Sequence, residues 1–458
     1  MNKGARVGGP FRVFLISLLA LTLSACDDGG SDRAPAPPPN GAPSGLAITL
    51  TTTAQIRLAW LDGSTNEAGF IIERSDNGGA TYAQIGQVGR NATAYSDVTL
   101  AASTTYFYRV AAFNVSGNSA YAGPVSGATN GLVWTNPALG GAAPADRFWH
   151  TAIYETDARR MIVFGGLDAG FNIVNDSAAL NLTTLQWEVF APGGVLPAIR
   201  FGHSAIYDAL HDRMIVFGGT DDGTNLLQDV QILTLGASPT WSPATIIGTP
   251  PVNRFYHSAV YDPVNQQMIV FGGENGSGAF PDSVHVLSLP AGNTLTWTTP
   301  LTNSGPIGRR QHSAVYDTTE GKIIYFAGYD GTNTVDGSIW SIETWTLTPG
   351  ATFTWQRLAP TTSPSFRGGH TAVYDEINQR MVLFSGDDNQ GFGPPLNTET
   401  WSLSPETQVW TLLTPSGGPP TGRAYHTAIY DAAGGRMVIY GGDDGSVTPL
   451  PGLWMMGF

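Results

Sequence analysis

Residues 200–219 read RFGHSAIYDALHDRMIVFGG, and this stretch decides the fold. An arginine and, three residues later, a histidine precede the segment SAIYD, which predicts a first strand. A turn leads to a second segment, RMIVF, which is almost continuously apolar, as expected of a strand with both faces covered. Two glycines end it. The stretch therefore predicts a β-hairpin packed between neighbouring sheets.

The same pattern recurs six times in residues 131–458, at intervals of about 55 residues, a period typical of propellers and solenoids. A third segment follows each hairpin, and a fourth with a tryptophan follows in every repeat but the last. Four strands per repeat predict a six-bladed β-propeller. The repeated arginines and histidines are Arg147 and His150, Arg200 and His203, Arg254 and His257, Arg309 and His312, Arg367 and His370, and Arg423 and His426.

The repeat resembles the kelch motif, whose hallmarks are paired glycines after the second strand, such as Gly218-Gly219, and a tryptophan on the fourth. The resemblance covers residues 131–458. It implies a kelch propeller similar to the central domain of galactose oxidases. Ala327-Gly328 and Ser385-Gly386 replace the glycine pair in two repeats, so we expect the turns there to differ locally.

The two ends of this region predict how the ring closes. The last repeat stops after its third strand, residues 452–458, and has no tryptophan strand. An unassigned tryptophan segment, residues 132–135, precedes the first repeat. We expect this N-terminal strand to complete the sixth blade, which would leave no open sheet edge.

Residues 43–130 predict a smaller all-β domain, because short alternating segments separated by turn residues suit an Ig-like β-sandwich. The segment resembles a fibronectin type III domain. Trp60 matches the core tryptophan of that family, Tyr106 its tyrosine-corner position, and Ala112–Ser119 its A-x-N-x-x-G-x-S signature. This resemblance implies a fold and no particular activity, so the simplest role is that of a spacer.

The N-terminus predicts an export signal. Basic residues precede an apolar run, Val13 to Leu23, that is too short to span a bilayer. The run ends in Leu23-Ser24-Ala25-Cys26, which resembles the lipobox of bacterial lipoproteins. The resemblance implies that residues 1–25 are a signal peptide and that Cys26, the single cysteine, is lipidated. The alternative is an ordinary signal peptide with an incidental cysteine. Residues 26–42 are Pro-rich and predict an extended tether.

Charge and cysteine content restrict the partners. The chain has 22 basic and 36 acidic residues, a net charge of −14, so neither nucleic acid nor an anionic lipid surface suits it. We expect a monomer attached to the envelope by its lipid alone, at the periplasmic face of the inner membrane or in the outer membrane at the cell surface. Lipidation of Cys26 would leave no thiol for the copper chemistry of galactose oxidases, which uses a cysteine-linked tyrosine.

The repeated histidines are spread by symmetry, whereas metal ligands cluster at one point. We interpret them as buried groups that join strands or blades, and we expect neither a metal nor a cofactor there. An acid follows each second strand, on the same rim as the arginines, so we expect Arg–carboxylate pairs. These acids are Asp168, Asp221, Glu274, Asp330, Asp387 and Asp443. Calcium binding by the loops at Asp221, Asp387 and Asp443 stays open, although none has EF-hand spacing.

The residues between each arginine and histidine break the symmetry. Trp149, Tyr256, Arg310 and Tyr425 are candidates for a ligand face, because flat aromatics with a few polar partners suit sugars or peptide side chains. The alternative is packing between blades. Two functions follow: an envelope scaffold that binds a protein or glycan, which we favour, and a periplasmic carbohydrate enzyme that resembles sialic acid mutarotases. No hydrolase, metalloprotease or phosphate-loop motif is present.

Overall fold

The structure is a computed structural model that describes residues 37–98, 100–331, 340–388 and 395–458. The predicted signal peptide, Cys26 and the tether up to residue 36 lie outside the described residues. The regular elements of the described part are β-strands. No helix in these ranges has the length and apolar character that a membrane crossing requires.

The small domain consists of two sheets around one core. Its strands are β1 (Ser44–Thr51), β2 (Ile56–Leu61), β3 (Gly69–Ser75), β4 (Ala83–Gly89), β5 (Ala94–Asp97), β6 (Thr105–Asn114), β7 (Gly117–Asn118) and β8 (Ala122–Ala128). One sheet has the order β1-β2-β5 and the other β4-β3-β6-β7, with β8 also paired to β6. Trp60 and Tyr106 lie in the shared core, and the Tyr106 hydroxyl accepts a hydrogen bond from the Ala101 N–H at 3.0 Å.

The rest of the described chain forms six sheets, blades one to six. Blade one contains β10 (Gly140–Gly141), β12 (Thr151–Glu155), β13 (Arg160–Phe164), β15 (Ser177–Asn181) and β16 (Gln186–Glu188), beside the short pair β11 (Arg147–Phe148) and β14 (Leu167–Asp168). Blade two contains β17 (Gly193–Gly194), β18 (Ser204–Asp208), β19 (Arg213–Phe217), β20 (Val230–Thr234) and β21 (Thr240–Pro243). Blade three contains β22 (Thr245–Ile247), β23 (Ser258–Asp262), β24 (Gln267–Phe271), β25 (His285–Ser288) and β26 (Thr294–Thr298).

Blade four contains β27 (Ser313–Asp317), β28 (Lys322–Phe326), β29 (Thr344–Thr348) and β30 (Thr354–Arg357). Blade five contains β31 (Thr371–Asp375), β32 (Arg380–Phe384), β33 (Thr400–Ser404) and β34 (Val409–Leu413). Blade six contains β35 (Thr427–Asp431), β36 (Arg436–Tyr440), β37 (Leu453–Gly457) and β9 (Val133–Thr135). The first long strands of neighbouring blades contact one another around the axis, including β12 of blade one with β35 of blade six.

The apolar second strands are buried between blades. In blade two, Met214 and Val216 pack in a core shared with blade one, whereas Ile215 and Phe217 pack in a core shared with blade three. Because successive strand residues point to opposite faces, a strand between two sheets must be apolar at every position. This arrangement explains the continuous RMIVF run and makes each inter-blade core depend on two neighbouring repeats.

Blade six is assembled from both ends of the region. β9 pairs antiparallel with β37, with Met456 opposite Trp134 and Gly457 opposite Val133. The Trp134 side chain is only 1% exposed, and its ring centroid lies 4.8 Å from that of Phe384 in blade five. The strand that precedes blade one therefore fills the outer position of blade six.

The small domain contacts the propeller at the turns that join first and second strands. The Thr52 hydroxyl donates to Asn378 Oδ1 at 3.0 Å, and Arg380 donates to the Thr53 hydroxyl at 3.3 Å. The tether enters the small domain at its other pole, where the side-chain amides of Asn66 and Asn114 donate to the Pro37 carbonyl. Strand β1 leads from that pole to Thr52, so the small domain separates the tether from the propeller.

Candidate functional site

The loops with the repeated arginines and histidines and the loops after each second strand form one face of the propeller. We call this face the RxxH rim. At its centre, a closed ring of main-chain hydrogen bonds surrounds the axis. Each N–H donates to the carbonyl of the equivalent residue in the preceding blade, at 2.7 to 3.1 Å. The six residues are Trp149, Gly202, Tyr256, Gln311, Gly369 and Tyr425. All have positive φ, from 55° to 63°, a region that non-glycine residues rarely adopt.

Three of the predicted ligand-face residues converge at this ring. The Trp149 ring centroid lies 5.5 Å from that of Tyr256 and 5.3 Å from that of Tyr425, and all three side chains are half-buried. Glycine at the intervening ring positions makes room for them: a Cβ on Gly202 would lie 3.0 Å from the Tyr256 ring, and one on Gly369 would lie 2.7 Å from the Tyr425 ring. The aromatic rings therefore lie together at the centre of the RxxH rim.

A second ring of hydrogen bonds lies directly beneath, around a cavity of about 170 Å³. Each repeated histidine shares a hydrogen bond, through Nε2, with a serine or threonine hydroxyl of the preceding blade, at 2.6 to 3.0 Å. The pairs are His203 with Thr151, His257 with Ser204, His312 with Ser258, His370 with Ser313, His426 with Thr371, and His150 with Thr427. Every blade is thus tied to both neighbours.

These histidines are neutral at pH 7. Burial, with a smaller effect from the arginine of the same repeat, lowers the pKa of each well below its usual range, to about 3 for His312. Protonation would place a cation on a buried ring, which burial makes strongly unfavourable. Within the described ranges, no three histidine, cysteine or carboxylate side chains are grouped so that they could hold a metal ion.

The structure corrects the partners expected for the repeated arginines. Four of them pair with a carboxylate directly before the third strand, not with the acid after the second. The pairs are Arg147 with Asp176, Arg200 with Asp229, Arg309 with Glu343, and Arg367 with Glu399, at 2.7 to 3.0 Å. Each guanidinium points back into its own blade and also donates to the carbonyl of the residue after the second strand. In this orientation the guanidinium points away from the acid after the second strand, with which it was expected to pair.

Blades three and six lack the carboxylate of this pair. By strand register, Ser283 and Gly452 take its place. Within the described part of the chain, Arg254 and Arg423 donate to main-chain carbonyls and pair with no carboxylate, and burial lowers the pKa of each to about 10. The six arginines are therefore equivalent in position but not in electrostatic environment.

The RxxH rim is chemically divided. In blades one to three, Phe148, Phe201 and Phe255 follow the repeated arginine, whereas Arg310 takes this position in blade four. Arg310 forms an ion pair with Glu274 of blade three, and its guanidinium lies 4.8 Å from the centroid of the Tyr329 ring. Phenylalanine is thus confined to blades one to three at this position, with Phe148 and Phe201 buried, and a cation takes its place in blade four.

The remaining blades contribute buried acids. Asp387 and Asp443 lie opposite Gly368 and Ala424, the small residues that follow the arginine in blades five and six. Burial raises the pKa of Asp443 to about 6; the charges of Asp444 and Asp387 also raise it, while a hydrogen bond from the Gly445 N–H lowers it. A carboxyl group with a pKa raised to about 6 therefore lies on the RxxH rim in blade six.

Two exposed apolar side chains extend the rim outward. Phe171 and Val447 lie in the loops after the second strands of neighbouring blades one and six, and their side chains are 58% and 44% exposed. Both residues have positive φ, 59° and 62°, which is particularly unfavourable for a β-branched valine. Residues in such conformations often belong to functional loops. Sequence reasoning missed both, because nothing in the sequence around them marks this conformation.

On the opposite rim, the structure shows four further contacts between neighbouring blades that the sequence analysis did not identify. A tyrosine near the end of the first strand donates to the carboxylate that ends the first strand of the preceding blade, at 3.0 to 3.2 Å. The pairs are Tyr154 with Asp431, Tyr261 with Asp208, Tyr316 with Asp262, and Tyr430 with Asp375. The signal was the Tyr-Asp or Tyr-Glu pair present in every repeat.

The chain is similar in part to known kelch-repeat proteins. The chain matches the model of the KLHDC2/KLHL20/DRC7 Kelch-repeats domain over residues 124–262, 169–306 and 263–457. A Rab9 effector protein with kelch motifs from Bos taurus is 30% identical over 211 residues, 44% of this chain and 54% of that protein. Adagio protein 3 of Arabidopsis thaliana is 28% identical over 277 residues, 58% of this chain and 42% of that protein. The chain thus spans about half the length of these relatives. The solved structure of YjhT aligns at a TM-score of 0.49 and 15% identity, covering 69% of this chain and 96% of that one.

Proposed function

The chain belongs to the family of KLHDC2/KLHL20/DRC7 Kelch-repeats domains, and on that premise we propose that it is a lipid-anchored scaffold of the cell envelope whose RxxH rim binds a partner protein. Trp149, Tyr256 and Tyr425 form the floor of this site, and Arg310 supplies its cation. A glycan is the alternative ligand, because stacked aromatic rings beside charged groups also suit sugars.

The observation that carries the proposal is an asymmetric set of side chains on a symmetric frame. The main-chain ring and the histidine ring repeat in all six blades, so the fold itself does not require phenylalanine after the arginine in blades one to three and Arg310 at that position in blade four. A surface that selects one orientation of a partner must be asymmetric. Exposed Phe171 and Val447 add apolar contacts of the kind found at the centre of protein interfaces.

The position of the small domain fits this role. It contacts the turns between first and second strands, so it lies on the side of the propeller opposite the RxxH rim. We assign it as a fibronectin type III spacer whose far pole continues into the tether. In a chain anchored at Cys26, the RxxH rim then faces away from the membrane, and the propeller is displaced from the membrane by the length of the small domain.

A carbohydrate-active enzyme, of the mutarotase or epimerase type, is the second candidate function. The observation that favours it is Asp443, because a carboxyl group with a pKa of about 6 suits general acid–base catalysis near neutral pH. Anomer exchange of candidate sugars, followed by NMR with the full chain and with Asp443→Asn, distinguishes the two functions. Exchange that depends on Asp443 would favour the enzyme.

We expect substitutions on the RxxH rim to weaken partner binding without unfolding the protein. The partner is first identified by screening envelope proteins and a glycan array against the full chain. Phe171→Ser and Arg310→Gln should then weaken binding by more than ~1 kcal/mol, about fivefold or more, because the two residues contribute an apolar contact and a charge. Titration calorimetry measures affinity, and the melting temperature monitors folding.

Val264→Ser is the matched control, since Val264 is 76% exposed in a turn on the opposite rim. Trp149→Ala tests packing together with binding, because Trp149 packs on four aromatic rings. This variant should lower the melting temperature as well as the affinity for the partner. If Phe171→Ser and Arg310→Gln both bind the partner as the wild type does, the ligand face lies elsewhere.

We expect Cys26→Ser to release the protein from membranes or to block its processing. The proposed anchor is a thioether-linked lipid, which serine does not accept, and the net charge of −14 offers no electrostatic attachment. Fractionation and labelling with radioactive palmitate check this result, with Ser24→Thr as a control that keeps the cysteine. Unchanged membrane association and labelling of Cys26→Ser would contradict the lipid anchor.

A further inference from the structure

In blades two, four and five, the carboxylate that pairs with the repeated arginine accepts a second side-chain hydrogen bond. The second donor lies two residues further along the chain, on the third strand, so the two side chains point to the same side. The pairs are Gln231 with Asp229, Trp345 with Glu343, and Trp401 with Glu399, at 2.6 to 3.0 Å. Each of these carboxylates therefore lies between two donors that the fold holds in place.

Blade three keeps both donor positions but has no carboxylate between them. Arg254 is the repeated arginine, and His285, the first residue of β25, takes the position of the second donor. By the same register, exposed Ser283 stands where the other blades have their acid. Asp282 beside it is exposed, and burial alone shifts the pKa of Arg254, with no opposing effect from a carboxylate of the described chain. An arginine and a histidine thus lie on either side of a position without an acid.

The guanidinium of Arg254 is buried without a full set of acceptors. Its Nε donates to the Val252 carbonyl at 3.0 Å, and its Nη1 donates to the Gly272 carbonyl at 2.9 Å. Within the described ranges, its Nη2 has no acceptor, and none of the other five repeated arginines has such a nitrogen. The residue is 0% exposed. Because a buried charge without a partner is strongly unfavourable, an anion that reaches Nη2 would stabilise the fold by binding there.

His285 adds a second donor to this position. Its Nδ1 shares a hydrogen bond with the Thr299 hydroxyl at 3.1 Å. Burial, and after it the charge of Arg254, lower the pKa of His285 to about 4, so the ring is neutral at pH 7 and lies near the guanidinium. When the hydroxyl donates to Nδ1, the neutral ring carries its proton on Nε2. Arg254 and His285 then offer an anion two N–H groups and one positive charge.

The equivalent place in the other blades is open to solvent. The side chains of Asp176, Asp229 and Glu399 are 37% to 51% exposed, although the arginines beneath them are at most 2% exposed. An anion can therefore approach the position beside Ser283 from the RxxH rim. Four blades place a carboxylate there, and a guanidinium matches the geometry of this group better than that of a spherical ion.

We propose that Arg254, Ser283 and His285 bind a carboxylate group of another molecule, at the place where four other blades supply their own. The carboxylate accepts from Arg254 Nη2, which gains the acceptor that it lacks, and from the side chains of Ser283 and His285. It belongs either to a small organic acid or to an acidic side chain of a partner. The proposed partner site at the centre of the RxxH rim uses other side chains, so neither proposal depends on the other.

The test measures binding of trifluoroacetate to the full chain by fluorine NMR. We expect saturable line broadening that acetate reverses and that acetamide, its neutral analogue, does not. Ser283→Asp should weaken binding at least tenfold and raise the melting temperature, because the new carboxylate pairs with Arg254. Ser277→Asp is the matched control: it adds the same charge at an exposed position of the same loop and should change binding by less than about twofold.

A double variant moves the site to another blade. Asp229→Ser combined with Ser283→Asp leaves Arg200 and Gln231 of blade two without their carboxylate, and it should restore binding of trifluoroacetate. Equal binding by the wild type and Ser283→Asp would overturn the proposal, as would reversal of the broadening by acetamide.

Two capped tripeptides identify the source of the carboxylate. They are acetyl-Gly-Asp-Gly-amide and its asparagine analogue, and each is tested for displacement of trifluoroacetate. Displacement by the aspartate peptide alone of the two, at the same or lower concentration than acetate, would assign the site to an acidic side chain of a partner. Displacement by acetate at lower concentration than by the peptide would assign it to a small organic acid. If neither carboxylate displaces trifluoroacetate, the proposal is wrong.

Discussion

Acidification from pH 7 to pH 5 should destabilise the folded protein by about 10 kcal/mol, because six buried histidines stay neutral in the fold. Burial lowers their pKa values well below the value of ~6.5 expected in the unfolded chain. Below that pH, the unfolded state binds six protons that the native state does not. Each histidine then removes ~1.4 kcal/mol of stability per pH unit, so stability falls as pH falls.

Protonation of Asp443 changes the stability of the fold in the opposite direction, but Asp443 is a single group. Its pKa of about 6 lies above the unfolded value of ~3.9, so it binds a proton in the native state first and adds stability as the pH falls from 6 towards 4. The net effect of all seven groups remains a steep loss. Since domains are typically stable by ~5–15 kcal/mol, the propeller should unfold near pH 5.

Urea denaturation at closely spaced pH values measures this effect, since the slope of unfolding free energy against pH gives the number of protons taken up. His370→Gln should reduce that number by one while its side-chain amide still reaches the Ser313 hydroxyl, and His426→Gln should do the same beside Thr371. A slope of fewer than two protons between pH 6 and 5 would mean that the histidines ionise normally inside the fold, and would contradict their neutral buried state.

The architecture was predictable because it follows from local patterns that repeat. The SAIYD segment predicts a first strand and the almost continuously apolar RMIVF segment predicts a second strand covered on both faces. The structure forms both strands, with Phe217 and Met214 on opposite faces of the second. Sequence patterns of this kind indicate which faces of a strand are covered by neighbouring sheets. The kelch-repeat prediction rests on them and is confirmed by the family match.

The partners of the arginines were not predictable in the same way. In the first repeat, Asp168 and Asp176 flank a single loop, and the sequence alone does not indicate that the Arg147 guanidinium points towards the second of them. The rim residues illustrate the same limit. Trp149, Gly202 and Tyr256 occupy equivalent ring positions with positive φ, and only the glycine signals that conformation in the sequence. Side-chain direction depends on backbone geometry that neighbouring repeats impose together.

Removal of strand β9 should strongly reduce the stability of the propeller. A chain that begins at Asn136 should lose cooperative thermal melting or aggregate, whereas a chain that begins at Gly131 should melt as one unit. Removing β9 deletes the buried Trp134 and exposes the edge of β37 together with the cluster that contains Phe384 and Met456. Loss of the tryptophan alone costs ~3–5 kcal/mol, a large share of the stability of a domain.

Trp134→Ala in the full chain separates packing from edge exposure, because it removes the side chain and keeps the backbone of β9. It should lower stability by ~3–5 kcal/mol while melting stays cooperative. The truncated chain should in addition aggregate as its concentration rises, since an unpaired strand edge is a template for intermolecular pairing. If the chains that begin at Gly131 and Asn136 melt alike, β9 contributes nothing to the stability of the ring. Blade six would then have to be held by β35, β36 and β37 and by the His150–Thr427 contact between first strands.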